Sequence, residues 1–356
     1  MNEFIFIGSG GVADKILINW INSQYKYILK AVLDNNKTKW GTIYNNVEID
    51  NVENIKKYIS EKSVILIASS YYQEISVQLN ELGVINYFTF EEYETLFNKN
   101  ILNNNKKLVE NKNKDRVFIV GNGPSLKGID LDLIKNEDTI LVSHIYRSKE
   151  LLSLNPNYWV VADPTFWDSK EDFLRVINET LTTKLQNTKF LLNLDAKYTS
   201  IFVNFFKNDN VSLYSLDPCK DYLYSSEKID FKNKIPRFAQ NVMSVCLMLA
   251  LFLEYKEVIL IGCDHSWWAY SKEEIEKGKI HSHFYQDTTK QIKLNKNVFE
   301  DYGYKGLLKT IKRQKYEYAQ LKRYAYQNNI NIINATVGGN LECFERRDFN
   351  SFFEGI

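Results

Sequence analysis

The sequence has no excess of charge of either sign. It contains 45 lysine and arginine residues against 44 aspartate and glutamate residues, which gives a formal charge of +1 over 356 residues. Proteins that bind long polyanions usually present a broad positive field. We therefore expect no nucleic-acid partner, and any anion site must be formed locally by a few groups.

Cysteine is scarce and widely spaced. The four cysteines form no C-x-x-C pair, which argues against a disulfide framework and against a structural zinc site. We expect reduced, mostly buried thiols, as in a cytoplasmic protein. These cysteines are Cys219, Cys246, Cys263 and Cys343.

Long apolar runs are also absent. The most apolar stretch, residues 242–253, has about half the length of a membrane span, so we expect it to form a buried helix. The opening residues, MNEFIFIGSGG, enter a strand directly without a basic region and a long apolar segment, which predicts no signal peptide. Any membrane contact is expected to be peripheral.

The chain is long enough for two domains. A single hydrophobic core rarely extends over 356 residues. The segment that begins at residue 98 is rich in asparagine and lysine, which is typical of a solvated linker or a linker helix. We predict a first domain over residues 1–98, a linker over 99–114 and a second domain over 115–356.

The first domain begins as a strand, a glycine turn and a helix. Residues 4–7 are apolar, GSGG follows, and residues 12–21 have helical periodicity. The next strand, residues 28–33, ends at the position where a dinucleotide-binding fold places its ribose-binding acid. The glycine spacing departs from G-x-G-x-x-G, so it does not predict NAD. The candidate ligand-binding residues are Gly8, Ser9, Gly10, Gly11, Asp34 and Asn35.

The second domain opens with the run RVFIVGNGPS at residues 116–125. A short β-branched run is stopped by Gly121, Asn122 and Gly123, which predicts a buried strand and a tight turn. Backbone N–H groups of such a turn can approach a phosphate, the Asn122 amide can contact a nucleotide or sugar, and Ser125 is placed to cap a helix. The alternative is an ordinary strand-to-helix turn.

Strands and helices alternate along the second domain. The pattern predicts the α/β class: two Rossmann-like domains with mainly parallel sheets, of which the second is larger and carries the active site. The lysines and arginines of the last helix are expected on a solvated face. The later strands are predicted over residues 139–143, 158–162, 190–194, 211–214, 258–261 and 331–334, and the helices over 173–185, 242–253 and 306–328.

Polar residues follow nearly every strand of the second domain. Because the carboxyl ends of parallel strands meet at one edge of the sheet, they predict a polar-ligand site there, although structural turns could produce some of them. The N-terminus of helix 242–253 would face the same region. The candidate nucleotide-binding residues are Gly121, Asn122, Gly123, Ser125, Ser143, His144, Asp163, Arg237, Gln240, Asn241, Thr336, Gly338 and Gly339.

Three of the four histidines lie close together in the sequence. His281 and His283 belong to a polar and aromatic segment, residues 267–304, which we predict to be a lid or binding loop. His283 can act as a general base, the pair can bind a metal, or neither is catalytic. His265 beside Asp264 can act in catalysis or form a structural pair. The catalytic candidates are His283, His265 and Asp264.

The first domain resembles the N-terminal domain of the PglD-like sugar acetyltransferases. The runs IGSGG, VLDNN, VILIASS and INYFTFEEY, in that order, carry the resemblance. It implies a small Rossmann-like domain that can hold a nucleotide-sugar beside the glycine turn and the acid after the second strand. The hexapeptide repeats of the acetyltransferase domain do not follow, so acetyl transfer is not implied.

The second domain resembles two related families over residues 115–350. The runs GNGPSL and PRFAQNVMSVCLMLALFLEYKEVILIGCD resemble the family 42 bacterial sialyltransferases. The runs YWVVAD, GCDH and NATVGG resemble the MptE-like 6-hydroxymethylpterin diphosphokinases, or domain of unknown function 115, which include motility accessory factors that modify flagellin.

The sialyltransferase resemblance implies a CMP-linked nonulosonic acid as donor, a histidine base and no metal. Backbone N–H groups at 121–125 and 338–339, with Arg237 and tyrosines such as Tyr285, would stabilise the leaving phosphate, and His283 would deprotonate the acceptor hydroxyl. We expect a glycosyltransferase of surface polysaccharide or flagellar glycan biosynthesis, with a nucleotide-sugar donor and a glycan or glycoprotein acceptor.

Two positions depart from the sialyltransferase pattern. His144 and Asp163 stand where that pattern has asparagines, and an acid at position 163 could hold a metal or a ribose hydroxyl. One alternative is therefore a Mg²⁺-dependent diphosphokinase or phosphotransferase of the MptE-like type. Another is a non-catalytic protein that binds sugar nucleotides.

Overall fold

The structure is a computed structural model that describes residues 2–22, 27–168, 173–198, 209–217, 228–236, 241–276, 283–285 and 289–354. The chain forms two compact units. Unit 1 comprises Met1–Ile101 and Asp195–Asp209, and unit 2 comprises Leu102–Leu194 and Asn210–Ile356. Each contains a mostly parallel sheet with connecting helices, which confirms the predicted α/β class. Within these ranges, no helix has both the length and the apolar character needed to cross a lipid bilayer.

Unit 1 contains a six-stranded sheet. Its elements are β1 (Asn2–Ile7), α1 (Gly11–Asn22), β2 (Tyr27–Asp34), β3 (Ile43–Tyr44), β4 (Val47–Asn51), β5 (Ser63–Ile67), α2 (Tyr72–Glu81), β6 (Phe88–Thr89) and α3 (Phe90–Asn103). The strand order is β3-β4-β2-β1-β5-β6. The β3–β4 pair is antiparallel and the other pairs are parallel.

The central strand β1 is buried on both faces. Phe4 and Phe6 pack with Trp20 on one face, while Ile5 and Ile7 belong to the cluster on the other. Consecutive side chains of a strand point to opposite faces, so a continuous apolar run is suited to a strand covered on both sides.

The β3–β4 hairpin was not predicted from the sequence. Its two turn residues, Asn45 and Asn46, have φ angles of 47° and 65°. Two consecutive left-handed residues are typical of the two-residue hairpin turn, and asparagine tolerates that conformation. The pair of asparagines was the signal that could have predicted the hairpin.

Unit 2 contains a nine-stranded sheet. Its elements are β7 (Arg116–Val120), β8 (Asp138–Val142), α4 (Lys149–Ser153), β9 (Tyr158–Val160), α5 (Thr165–Asp168), α6 (Phe173–Thr183), β10 (Lys189–Asn193), β11 (Val211–Asp217), β12 (Lys234–Pro236), α7 (Val242–Phe252), β13 (Glu257–Ile261), α8 (Lys272–Glu276), α9 (Thr289–Gln327), β14 (Asn331–Asn334) and β15 (Glu345–Arg346). The order is β12-β11-β10-β9-β8-β7-β13-β14-β15, and the pairs are parallel.

Helix α7 is the buried helix that the apolar run predicted. Its residues from Met243 to Leu251 are all buried. Cys246 on this helix and Cys263 after β13 are buried free thiols, and burial raises the pKa of each above its ordinary value. Cys343 is a partly buried free thiol, and Cys219 lies outside the described residues.

The segment predicted to be a solvated linker or a linker helix is helical as far as Asn111. Helix α3 extends to Asn103, and a run of 3-10 turns continues over Asn104–Asn111. Asn105 and Leu108 are buried in unit 2, where the Asn105 amide donates to the backbone carbonyls of Leu213 and Phe231. Asparagine is polar, but here its side chain satisfies buried carbonyl groups.

The segment predicted to be a long loop, residues 267–304, is partly helical. It contains the short helix α8, and helix α9 already begins at Thr289. Gly303 interrupts α9, because its φ of 58° and ψ of 179° are not helical. The sequence signal for the first part of α9 was weak because the residues before Gly303 are mostly polar.

The amino ends of the unit 2 strands are joined around Asp138. Its buried carboxylate accepts hydrogen bonds from the backbone N–H groups of Asn113 and Lys114, from the Asn157 amide and from the Tyr255 hydroxyl. A cavity of about 470 Å³ at this edge is lined mainly by asparagines such as Asn111, whose amides donate to backbone carbonyls. We therefore interpret this edge as structural.

Candidate functional site

The strand order of unit 2 changes direction between β7 and β13. From β7 the chain adds β8 to β12 on one side, then returns to place β13 on the other. In open parallel sheets, ligands bind beyond the carboxyl ends of the strands at such a switch. A cavity of about 260 Å³ lies there, lined by Gly121, Asn122, Gly123, Pro124, Val142, Ser143, Asn241, Val242, Met243, Gly262, Cys263, Asp264, His265, Ser266, Trp267, His283 and Gln314.

The two loops that form the base of this cavity are joined backbone to backbone. The N–H of Gly121 donates to the carbonyl of Ile261 at 2.8 Å, and the N–H of Gly123 donates to the carbonyl of Gly262 at 2.9 Å. A β-carbon on Gly121 would overlap the Gly262 carbonyl group. The glycines are therefore needed first for the close approach of the two loops.

The turn after β7 does not present the phosphate cradle that the sequence predicted. Besides the two N–H groups already bonded, the N–H of Ser125 donates to Asp264 Oδ1 at 3.1 Å, and Ser125 Oγ donates to Asp264 Oδ2 at 2.7 Å. Ser125 therefore caps no α-helix, and the 3-10 turn Pro124–Gly128 follows instead. Asp264, from the loop after β13, takes up the N–H and hydroxyl of Ser125, where a phosphate was expected.

Asn122 lines the cavity and has an acceptor that no hydrogen bond uses among the described residues. Its Nδ2 donates to the carbonyl of Val142 at 3.0 Å, and because a carbonyl only accepts, this contact fixes the orientation of the amide. Asn122 Oδ1 is buried and accepts no hydrogen bond from the residues that the structure describes. A buried acceptor of this kind is a site at which a ligand donor would be stabilised.

His283 reaches the cavity through a short segment that is bonded to the glycine turn. The N–H of Phe284 donates to the carbonyl of Asn122 at 2.8 Å. The His283 ring stacks on Tyr285, with centroids 5.1 Å apart and planes 8° apart. Tyr285 is buried, and Arg147 lies over its ring at 5.7 Å. The imidazole is thus held in one orientation at the rim of the cavity.

The structure assigns His265 a structural position. Its Nδ1 lies 2.9 Å from the Cys263 carbonyl and so carries the proton, which leaves Nε2 to accept from Tyr318 Oη at 2.9 Å. Burial lowers the pKa of His265 to about 4. The predicted pairing with Asp264 is not formed, and a neutral imidazole with both nitrogens occupied is not available as a base.

Asn241 links this histidine to helix α7. Its Nδ2 donates to Tyr318 Oη at 2.7 Å, while its Oδ1 accepts from the N–H of Met243 at 2.9 Å as the helix cap. The first turn of α7 and its capping residue therefore line the cavity, as the sequence predicted for Asn241. Arg237 and Gln240, predicted beside it, lie outside the described residues.

His144 does not line the cavity. It is buried in an aromatic cluster, with ring centroids 4.5 Å from Phe166 and 5.4 Å from Phe173. Burial, together with the electrostatic effects of Arg147 and His283, lowers its pKa to about 3. The neighbouring Ser143, with a φ of 56°, does line the cavity. The left-handed turn at Ser143 directs the next side chain into the core.

The remaining predicted residues of unit 2 lie outside the cavity lining. Asp163 is exposed. Thr336 is buried and accepts the N–H of Cys263. Gly339 packs on the backbone of Asp264, and the carbonyl of Gly338 accepts from Arg346. The 334–339 turn therefore supports the Asp264 loop from behind.

One cavity residue, Gln314, comes from an element that the sequence did not connect with a site. Gln314 is buried on α9 and accepts from Trp268 Nε1, and Trp267 lies beside it in the lining. The periodicity held a signal, because Gln314 interrupts an apolar stripe on α9 with helical spacing. The stripe comprises Leu307, Ile311, Tyr318, Leu321 and Ala325.

The structure offers no ready-made metal centre in the part of the chain that it describes. Within those residues, no group of three or more histidine, cysteine, aspartate or glutamate side chains is arranged to hold a metal ion. Asp264 is a single carboxylate at the cavity, and Asp163 is not in its lining.

The glycine turn of unit 1 is closed by its own aspartate. Asp34 Oδ2 accepts from the Ser9 N–H, from Ser9 Oγ and from Lys39 Nζ at 3.1, 2.6 and 3.0 Å, and Oδ1 accepts from the Asn36 N–H. Burial raises the pKa of Asp34, but these donors outweigh it and hold the pKa below its ordinary value.

The other predicted ligand residues of unit 1 are also placed. Asn35 exchanges hydrogen bonds with Gln78 instead of facing an open site. Gly8, with a φ of 111°, packs against Ala68. Gly10 and Gly11 are exposed and unobstructed. A ribose hydroxyl would have to displace Ser9 or Lys39 from Asp34.

Comparisons with known proteins assign no family to the chain. No protein-family model matches the chain. No curated protein matches it. A pseudomurein peptide ligase type C from Methanothermus fervidus is similar over 61% of this chain and 48% of its own, at 15% identity and a TM-score of 0.19. This chain thus spans about half of that ligase, and so low a TM-score says nothing about activity. The family resemblances seen in the sequence stay predictions.

Proposed function

We propose that this protein is a transferase that uses a nucleotide-activated sugar and binds it in the cavity between β7 and β13. The observation that carries the proposal is the position of His283 at the strand-order switch of unit 2. Its segment is hydrogen-bonded to the glycine turn, and of the two histidines that line the cavity, His283 is the one that is partly exposed. Ligand sites of open parallel sheets lie at such switches.

The acceptor step needs a base that can accept a proton. Of the three histidines that the structure describes, His144 and His265 are buried with pKa values lowered to about 3 and about 4. His283 is partly exposed beside the cavity and is the one placed to take a proton from an acceptor hydroxyl. The first turn of α7 presents the positive end of a helix to the same space, which favours the leaving phosphate there.

The nucleotide is tested by thermal shift. CMP, CDP, UDP, GDP and ATP, and the corresponding sugar nucleotides, are each added with Mg²⁺ or with EDTA. A ligand that binds the native state raises the melting temperature, so one base should stand out. Stabilisation by sugar nucleotides in EDTA supports the proposal. Binding or activity that appears only with Mg²⁺ would favour diphosphate transfer instead.

The base is tested on the donor so identified. His283→Ala and His283→Gln should each lower turnover by about 10²–10⁴-fold, because general-base catalysis contributes this much, while donor affinity changes little. Gln keeps the volume and the stacking surface but cannot take the proton. Full turnover by His283→Gln would therefore remove the base role, and donor binding without any turnover of wild type would indicate a binding protein.

A further inference from the structure

The glycine turn of unit 2 presents acceptors to the cavity. The N–H groups of Gly121, Gly123 and Ser125 are all bonded within the protein. Asp264 and Asn122 both line the cavity, and the buried Oδ1 of Asn122 accepts no hydrogen bond among the described residues. A surface of acceptors is complementary to hydrogen-bond donors and repels phosphate oxygens.

Among the described residues, no cationic side chain is paired with the carboxylate of Asp264. Within the described ranges, no lysine, arginine or histidine nitrogen is recorded within 4.0 Å of its carboxylate. Ser125 supplies two hydrogen bonds, whereas a carboxylate has about four lone-pair positions. The carboxylate is held in place by Ser125 and retains capacity for a ligand.

We propose that Asp264 and Asn122 form a subsite for neighbouring hydroxyl groups of the ligand, and that the phosphate lies away from the glycine turn. The inference rests on the proposed function and deepens it. The hydroxyls can belong to the ribose of the nucleotide or to the transferred sugar, since both carry adjacent O–H donors. Hydrogen bonds from hydroxyls to a carboxylate are among the stronger ones.

The placement reverses the usual use of a glycine turn. In a phosphate-binding turn, free N–H groups and a helix N-terminus face the anion. Here the turn continues into a 3-10 segment and is bonded to the Asp264 loop, whereas the longer helix α7 begins at another wall of the cavity. The ligand is thus expected to lie with hydroxyls toward β7 and β13 and its phosphate toward α7.

The experiment measures affinities by titration calorimetry for wild type, Asp264→Asn and a control. The probes are the nucleotide found by thermal shift, its 2′,3′-dideoxy form, its sugar nucleotide and inorganic pyrophosphate. Asn can accept the Ser125 N–H through its Oδ1 and donate to Ser125 Oγ through its Nδ2, but it removes the charge. Asp132→Asn is the matched control, because it removes an exposed carboxylate of the same unit that is paired with Lys135.

We expect Asp264→Asn to lower the affinity for the ribonucleotide by about tenfold and to change the affinity for the dideoxy form by less than about twofold. This difference would identify the ribose hydroxyls as the donors. If only the sugar nucleotide weakens, the hydroxyls belong to the sugar, and the subsite stands. The control should change none of these affinities. Tighter binding of nucleotide and pyrophosphate to Asp264→Asn would overturn the inference, because it would place phosphate against the carboxylate.

Two further outcomes separate this inference from the proposed function. Wild type that binds nucleotides with affinities insensitive to Asp264→Asn contradicts the subsite alone. Wild type that binds neither nucleotide nor sugar nucleotide contradicts both. Should Asp264→Asn fail to fold, Asn122→Ala serves as the second variant, since it removes the other acceptor and should show the same difference between the ribonucleotide and the dideoxy form.

Discussion

Both units set an aspartate against a glycine turn, but only one of the two carboxylates is neutralised. In unit 1, Asp34 accepts a hydrogen bond from the Ser9 hydroxyl and forms an ion pair with the ammonium group of Lys39 at 3.0 Å. In unit 2, Asp264 accepts hydrogen bonds from the N–H and the hydroxyl of Ser125, and it has no recorded cation partner among the described residues. A glycine turn followed by an acid therefore describes two different sites, one closed and one with acceptor capacity left.

The comparison also shows what the glycines do. In each unit a glycine after the first strand lies against the loop on the other side of the switch, Gly8 against Ala68 and Gly121 against Gly262. The shared requirement is the close approach of two backbones, and it exists whether or not a ligand binds. Ligand chemistry is decided by the side chains that complete each turn.

Adding a methyl group to these glycines should have the largest effect. Gly121→Ala places a β-carbon against the Gly262 carbonyl, and a backbone shift is needed, so we expect a loss of about 3 kcal/mol or more in the free energy of unfolding. Gly8→Ala should also be costly, because its φ of 111° is unfavourable for alanine.

The chain supplies a matched control for each of these variants. Gly10 in unit 1 and Gly128 in unit 2 have no atom within 4 Å of an added β-carbon. Their alanine variants should change the free energy of unfolding by less than about 0.5 kcal/mol in urea titrations. Equal stability of Gly121→Ala and Gly128→Ala would show that the two loops are not in contact.

The second largest effect is expected from acidification, which should destabilise unit 2 more than unit 1. All four histidines belong to unit 2, and burial lowers the pKa of His144 to about 3 and of His265 to about 4. The unfolded chain binds these protons near pH 6.5, so between about pH 6.5 and 4 it binds more protons than the folded state. The stability of unit 2 should fall by about 2 kcal/mol per histidine as the pH falls to about 5.

Hydrogen exchange can follow the two units separately. Amides of β7 and β13 should lose protection between pH 7 and 5 after correction for the intrinsic exchange rate, while those of β1 and β5 should not. In unit 1, the lowered pKa of Asp34 means that its ionised carboxylate stabilises the folded state. This stabilisation is present at higher pH and is lost below about pH 4, as Asp34 binds a proton. His144→Phe is the control, because an aromatic ring fits the cluster and should remove part of the unit 2 slope. Parallel loss in both units would contradict the assignment.

Removing the serine hydroxyls should have the smallest effect and should depend on the unit. Ser125→Ala takes away one of the two hydrogen bonds recorded for Asp264, and we expect a loss of about 1 kcal/mol in the free energy of unfolding. Ser9→Ala should lose about half as much, because Lys39 still pairs with Asp34. In a Lys39→Met background, Ser9→Ala should lower the free energy of unfolding by as much as Ser125→Ala does. That result would show that the lysine explains the difference between the units.

Much of the fold was predictable because its signals are local. The strands that feed both glycine turns are short β-branched and aromatic runs bounded by glycines, and α7 is an uninterrupted apolar run. Of the polar residues that follow the strands, Asn122, Ser143, Asp264 and His265 line one cavity. Parallel topology brings such strand ends together without any need for detailed packing.

The side-chain roles were less predictable because they depend on distant partners. Ser125 and Asp264 are 139 positions apart, so the sequence could not show that their contact closes the phosphate position. His265 is separated by 53 positions from Tyr318, whose hydroxyl occupies Nε2 of the imidazole. His144 was expected at the ligand edge, but a single left-handed residue at Ser143 turns it inward. One backbone angle of this kind leaves no periodic signal.

The hydrogen bonds around Asp138 give unit 2 a fixed end and a variable end. Four groups from three parts of the chain, residues 113–114, 157 and 255, donate to that one carboxylate at the amino ends of the strands, remote from the cavity. Changes in the loops at the carboxyl ends therefore leave this anchorage intact. A scaffold arranged in this way can acquire a new donor or acceptor preference by exchange of loop residues, while its folding depends on a junction that never touches the ligand.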